Sequence, residues 1–195
     1  MTTSQLLFLA FVALVALQRL AELSLSRRNE KQLRKLGARE HASRHFIAMQ
    51  LLHTLWLVSV VLEVTLLRPP FRPWVSAPAA LCFGIGQCLR YAAINALGGR
   101  WSVRILTLPG AAPVAQGVYR YMRHPNYLGV VLEIAALPLM HSAWRTAAVF
   151  SLANALLLVV RIREEERALN GNGGYDEALG PLPRFWPSLR ARGST

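Results

Sequence analysis

The sequence predicts an all-α, polytopic integral membrane protein with about five transmembrane helices, the last two paired as a hairpin. Three observations carry this. Hydrophobic residues make up 53% of the 195 positions, and mean hydropathy is +0.31. Apolar runs near residues 6–25, 45–67, 75–97, 127–140 and 143–160 mostly approach the roughly 20 residues that a bilayer core requires. The 22 Lys and Arg residues cluster between those runs, as the positive-inside rule describes. That placement accounts for the net charge of +12 without nucleic acid as a partner, since no basic stripe with interleaved aromatics forms a folded surface.

The first run follows Met1-Thr-Thr-Ser-Gln5, which lacks the basic start of a signal peptide, so it is expected to be retained as a span. Arg19 and Glu22 lie three apart near its end and read as a snorkelling local ion pair, with a substrate contact as the other reading. A basic amphipathic connector over 26–45 then carries seven Lys or Arg between Arg27 and Arg44 and reads as a surface helix along the membrane. The second run holds His53, expected to pack between helices, and Glu63, expected near the far interface. The third contains Gly84 and Gly86, which allow close helix approach, and ends with Gln87, Arg90, Tyr91 and Asn95, polar groups needing a wet cavity or protein partners. Cys82 and Cys88 are about 9 Å apart along one helix, too far for a bridge. A disulfide scaffold and a zinc site are therefore not expected.

Residues 1–97 read as an N-terminal set of three spans and 98–195 as a second region. The segment from Gly98 is broken by Pro109-Gly110 and Pro113, too often for a continuous helix. The fourth run is short for a span. Pro138 and His141-Ser142 turn it into the fifth, giving an antiparallel hairpin. Seventeen Lys and Arg fall on one side of this arrangement and three on the other. The basic side should be cytoplasmic, with the N-terminus outside and the C-terminus inside.

The most chemically dense stretch is Gly117-Val-Tyr-Arg-Tyr-Met-Arg-His-Pro-Asn-Tyr-Leu-Gly129. Pro125 fits the first turn of a helix, where its missing N–H costs nothing. His124 then stands at the helix mouth, whose free N–H groups and positive dipole end suit an anionic group. Tyr119, Tyr121 and Tyr127 add ring faces, and Arg120 and Arg123 add charge. An interfacial anchor of Tyr and Arg has the same composition. Farther on, Arg161 and Glu165 are four apart, with Asn154 seven before Arg161, so one helix face presents a cation, a carboxylate and a deeper amide. A salt-bridged juxtamembrane helix is the plainer reading.

The pattern Gly-Val-Tyr-x-x-x-Arg-His-Pro-x-Tyr-x-Gly, followed by Arg161-Ile-Arg-Glu-Glu-Glu-Arg-Ala-Leu169, resembles the isoprenylcysteine carboxyl methyltransferase family over residues 98–187. The resemblance implies a membrane enzyme using S-adenosylmethionine bound in a cytosolic region. It implies cofactor contacts from Tyr119, His124, Pro125, Asn126, Tyr127, Glu165 and the strand-like segment Ala111, Ala112, Pro113 and Val114, with Arg161 orienting the substrate; helical spacing adds Asn154 on the same face as a further substrate contact. Relatives often carry a His and a Leu where this chain has Ala111 and Pro113. In the tail, Asn170-Gly-Asn-Gly-Gly174 replaces an aromatic-Gly step, and Tyr175 alone remains of a two-tyrosine pattern.

Methyl transfer from a sulfonium is an in-line displacement, so collinear positioning supplies much of the rate. An acceptor that is already an anion needs no general base, and none is assigned. The lipophilic substrate is then either a prenylated cysteine carboxylate or a long-chain alkylpyrone. Gln18-Arg-Leu-Ala-Glu-Leu23, Arg28-Asn-Glu-Lys31 and Leu108-Pro-Gly110 are similar to a bacterial branch that includes alkylpyrone O-methyltransferases accompanying type III polyketide synthases. The partners so implied are the bilayer, the lipophilic substrate and a polyketide synthase in functional association. A phospholipid N-methyltransferase and a non-catalytic transporter or scaffold are readings from other classes.

Overall fold

The computed structural model describes residues 1–171 and 174–187. Helix α1 spans Thr3–Lys35, and Thr2 and Gln5 form a reciprocal capping box at its start. Strand β1 is Arg39–His41. Helix α2, Ser43–Leu62, runs on as a π-helical turn, Glu63–Leu67. Helix α3 is Pro73–Leu97, with Pro73 at its first position. Strand β2, Ile105–Thr107, pairs antiparallel with β1, Glu40 lying opposite Leu106. Helix α4 is Pro125–Leu139, α5 is Trp144–Asn170 and the short α6 is Tyr175–Leu179.

Among the described residues, four helical stretches, Thr3–Lys35, Phe46–Leu67, Pro73–Arg100 and Trp144–Asn170, are long and apolar enough to cross a membrane. Their outward faces carry Leu7, Leu14, Leu66, Leu81, Leu152 and Leu156, all largely exposed. Such a girdle is tolerable only against lipid. The protein is an all-α polytopic membrane protein. Helix α4, with 15 residues, rises about 22 Å and is the short partner of the expected hairpin with α5.

The apolar core lies between α1, α2, α3 and α4 and includes Phe8, Val12, Trp56, Val60, Phe83 and Ile134. The Trp56 Nε1–H donates to the Ile134 carbonyl at 3.2 Å. Helices α3 and α4 touch backbone to backbone: a Cβ on Gly129 would sit 2.7 Å from the Gly86 carbonyl oxygen, and one on Gly86 would sit 2.9 Å from that of Gly129. Gly84 meets nothing, so only one of the two expected glycines makes the crossing. Gly129→Ala is expected to destabilise by about 1–3 kcal/mol through overpacking, whereas Gly84→Ala should not destabilise. Thermal unfolding in detergent checks the pair.

Glu63 is buried, not simply near an interface: its carboxylate accepts from Thr146 N at 2.7 Å, Thr146 Oγ1 at 2.6 Å and Arg145 N at 3.2 Å. It caps α5 from another helix and complements its positive end. Gln5 Nε2 reaches the Val64 carbonyl at 3.4 Å. The start of α1, the end of α2 and the α4–α5 turn therefore share one side. The opposite ends of α1, α3, α4 and α5 share the other.

Three expectations need correction. The first part of the basic connector is not a separate surface helix: α1 continues unbroken to Lys35, because Glu30, Lys31, Gln32, Leu33, Arg34 and Lys35 are good helix formers and Ser26, Asn29 and Leu33 are buried against the rest of the molecule. The strand before the central stretch lies at Ile105–Thr107, not at 111–114, which is irregular. Arg19 does not snorkel. Its side chain is 11% exposed and pairs with Glu133 at 2.7 Å as well as with Glu22. Of the polar end of α3, Gln87 and Arg90 find protein partners, while Tyr91 and Asn95 face outward.

Candidate functional site

Pro125 occupies the first turn of α4 as expected, and His124 immediately precedes the helix. The first turn delivers Tyr127 inward, where it is 7% exposed. The last turns of α5 arrive beside it. Arg161 Nε donates to the Tyr127 hydroxyl at 2.9 Å, and that hydroxyl donates to Glu165 Oε2. The two sequence stretches, 34 and 38 residues apart at these contacts, thus meet in one chain of hydrogen bonds. Arg161 Nη2 also donates to the Val103 carbonyl at 2.6 Å. The His124 ring stacks on Tyr127, with centroids 5.4 Å apart.

Two cavities adjoin at this point. The larger, of about 410 Å³, is lined by Leu20, Met49, His53 and Leu57 from α1 and α2 and by Asn126, Tyr127, Arg161 and Glu165. The smaller, of about 130 Å³, is lined by Ala111, Pro113, Val114, Leu169, Tyr175 and Leu179. Arg104, Tyr119, Arg123, His124 and Glu165 border both. One space faces the apolar helices and the other the polar loops. His53 sits on the larger wall, its Nδ1 2.8 Å from the Met49 carbonyl and its ring edge-on to Trp56.

Of the residues expected at the site, Tyr119, His124, Asn126, Tyr127, Arg161 and Glu165 converge. Ala111, Pro113 and Val114 join them at the smaller cavity, and the Ala112 carbonyl accepts from Arg100 Nη1 at 2.8 Å. Asn154 is buried but lines neither cavity, and its Oδ1 has no partner among the described residues. Tyr121 is 46% exposed. The N–H groups of Arg123 and His124 are not free for an anion, because they donate to the Pro183 and Arg184 carbonyls at 3.0 Å each. Those of Asn126 and Tyr127 are the ones helix geometry leaves open.

Two groups of residues were missed. Glu166 ties the site together: Oε1 lies 3.0 Å from His124 Nε2 and 3.1 Å from Arg123 Nη1, and its oxygens receive Arg184 Nε and Nη2 at 3.0 and 2.6 Å. The hydrogen bonds to Glu166 hold the Arg184 guanidinium above its ordinary range. The tail segment containing Pro183, Arg184 and Phe185 is thereby fastened to the site, and Phe185 packs against the cluster of Tyr127, Leu158 and Ile162. The other group lies at the end of α1. Ser26 Oγ and Ser102 Oγ donate to Glu30 Oε1 at 2.6 and 3.0 Å, and Asn29 Nδ2 donates to the Trp101 carbonyl at 2.9 Å. These bonds hold the loop whose Val103 carbonyl orients Arg161. Burial raises the Glu40 carboxyl, yet hydrogen bonds from Arg34 and Arg104 outweigh it and leave the group below the usual range.

Sequence comparisons bear on this geometry. The sequence model of the isoprenylcysteine carboxyl methyltransferase (ICMT) family matches residues 79–171. The chain is similar to the uncharacterized protein YpbQ of Bacillus subtilis (strain 168), at 39% identity over 163 residues, covering 84% of this chain and 96% of the relative. It is also similar to an uncharacterized protein of Haemophilus influenzae, at 30% identity over 163 residues, covering 83% of this chain and 94% of the relative. The chain belongs to the isoprenylcysteine carboxyl methyltransferase family.

The ICMT match begins within α3, earlier than the resemblance read from residue 98 onward, and ends at the C-terminus of α5. It therefore contains Arg90, both motifs and the Gly86–Gly129 crossing. Membership supports methyl transfer as the class of reaction, in a family whose enzymes generally use S-adenosylmethionine. The junction of the two cavities fits such a cofactor on three counts. The Tyr175 hydroxyl on the smaller cavity and Asn126 Oδ1 on the larger are buried without partners among the described residues; Glu165 offers a carboxylate to a cation; and Tyr119, which borders both cavities, offers a ring face. Burial and the nearby Glu165 carboxylate push the Tyr119 phenol far above its ordinary range, and burial with Glu165 and Glu166 does the same to Tyr175. Both therefore stay neutral and able to donate. In the tail, Asn172 and Gly173 of the divergent Asn-Gly step, and residues 188–195, lie outside the described residues.

Proposed function

We propose that the protein is an S-adenosylmethionine-dependent O-methyltransferase that acts on an acidic oxygen of a lipophilic substrate, with a long-chain alkylpyrone-type polyketide as the favoured acceptor. The observation that carries this reading is the Arg161–Tyr127–Glu165 chain standing where the two cavities meet. When bound, the cofactor supplies an electrophilic methyl group. Glu165, Tyr119, His124, Pro125, Asn126, Tyr127 and the segment from Ala111 to Val114 would hold it in and beside the smaller cavity. Arg161, fixed by Tyr127 and Val103, keeps an open flank for an anionic oxygen in the larger one.

The acceptor arrives ionised, so Arg161 orients it without removing a proton. Its guanidinium is held from two sides, which leaves little freedom to follow a misplaced substrate. His124 shapes the pocket: its Nε2 is committed to Glu166, away from any role as base. The lipid tail lies among Leu20, Met49 and Leu57, while the cofactor enters from the loop side. With that side cytoplasmic, the N-terminus is outside, the C-terminus inside, and the cofactor comes from the cytosol. A polyketide synthase is the class of enzyme that supplies such an acceptor.

Methyl esterification of an isoprenylcysteine carboxylate is the second reading, favoured by the family itself and by the same Arg161 geometry. Membranes containing the protein, incubated with labelled S-adenosylmethionine and either a long-chain alkylpyrone or a farnesylcysteine analogue, separate the two. Label in the pyrone supports the first reading, and label in the farnesyl compound alone replaces it with the second. A phospholipid N-methyltransferase would yield N-methylated lipid in the same assay. A transporter or scaffold would show no thermal shift with S-adenosylhomocysteine.

A further inference from the structure

Four ionisable side chains meet at the larger cavity, three of them on its wall and Glu133 behind it, at a depth where burying charge is expensive and points to function. Glu22 Oε2 accepts from Arg19 Nη1 at 2.7 Å and from Arg90 Nε and Nη2 at 2.9 and 2.6 Å. Glu133 Oε2 accepts from Arg19 Nη2 at 2.7 Å, with Arg90 Nη1 3.8 Å away. Gln18 Nε2 bridges Glu22 Oε1 at 2.9 Å and Gln87 Oε1 at 2.7 Å. The cluster joins α1, α3 and α4, and its two cations balance its two anions.

A clamp alone does not explain this chemistry. Apolar side chains hold helices together at least as well as buried ion pairs do, and α1 already contributes Phe8, Val12 and Val15 to the core. The cluster is also incomplete. Arg19 Nε, Gln87 Nε2 and Glu133 Oε1 are buried without a hydrogen-bond partner among the described residues, two donors and one acceptor. Arg19, Glu22 and Arg90 line the same cavity as Arg161 and Tyr127. Along α4, Glu133 lies six residues beyond Tyr127, a rise of about 9 Å.

We propose that this cluster is a second recognition station, which binds a neutral hydroxyl, keto or amide group carried partway along the substrate's tail. The inference rests on the reading that an acidic oxygen occupies the Arg161 end. The group is neutral because the cluster is already balanced, and a further ion would leave net charge in the bilayer. It is polar because a plain hydrocarbon would cover Arg19, Glu22 and Arg90, the charged side chains on the cavity wall, without offering them a hydrogen bond. The preferred substrate is therefore a lipid bearing a polar group at each of two positions along its length.

The test measures binding of palmitate, a mid-chain monohydroxy palmitate and ω-hydroxypalmitate to the full-length protein in nanodiscs, with the S-adenosylhomocysteine thermal shift recorded on the same sample. The mid-chain hydroxy acid should bind about tenfold tighter than the other two. That preference should vanish in the charge-balanced double variant Arg19→Met/Glu133→Gln, with the cofactor shift retained. Should the double variant not fold, Arg19→Lys keeps the charge balance while altering the donors on the cavity wall, and should reduce the preference at least twofold. Equal affinities for the three acids, no binding of any of them, or an undiminished preference in the folded variants would overturn the station. Loss of the cofactor shift in the wild-type protein would instead overturn the methyltransferase reading.

Discussion

Replacing Arg161 by Ala is expected to lower methyl transfer by about 100-fold or more, while S-adenosylhomocysteine affinity stays within about threefold. Arg161 Nε and Nη2 are committed to Tyr127 and the Val103 carbonyl, so the guanidinium is fixed in advance for an anion arriving from the larger cavity. Losing it removes the group that aligns the acceptor rather than the surface that holds the cofactor. Arg161→Lys should recover little, because an ammonium keeps the charge but cannot reproduce a planar fork bonded on two sides. Single-turnover kinetics beside a binding isotherm separate the effects. A parallel loss of affinity and rate would move Arg161 into the cofactor site.

Glu165→Gln should have the complementary effect, weakening S-adenosylhomocysteine binding by about tenfold or more. Glu165 borders both cavities and accepts from the Tyr127 hydroxyl. The amide keeps the shape and can still accept one hydrogen bond, but it offers no charge to a cationic ligand. A fall in affinity reports that charge. The Tyr127→Phe variant provides the control, since it removes the link to Arg161 while leaving the carboxylate. An unchanged isotherm for Glu165→Gln would remove Glu165 from the cofactor contacts.

Much of this arrangement was legible in the chain. Pro125 marked the start of α4, and the apolar run to Met140 with the turn at His141 and Ser142 marked the hairpin. The facing of Tyr127, Arg161 and Glu165 followed from motif resemblance, because residues so far apart in sequence carry no local sign of contact. What stayed hidden has the same physical origin. The pairing of Arg19 with Glu133 spans 114 positions, and nothing near either residue announces it. The C-terminal end of α1 looked like a solvated connector because its composition is polar; its buried face, Ser26, Asn29 and Glu30, binds loop groups that only the tertiary fold brings near. Strands of three residues are too short for a two-residue period to show. Glu166 was overshadowed by its neighbour, although Pro183-Arg-Phe-Trp-Pro187 already looked family-like and holds the Arg184 that Glu166 binds.

The account is tested most directly by the position of S-adenosylhomocysteine in a ligand-bound structure of the protein in lipid. The prediction is nucleoside density beside Tyr119 and Tyr127, with a hydrogen bond to Glu165 and with the sulfur directed toward Arg161. Density on the side of the bundle where Glu63 caps α5, or density separated from Tyr127 and Glu165, would contradict it.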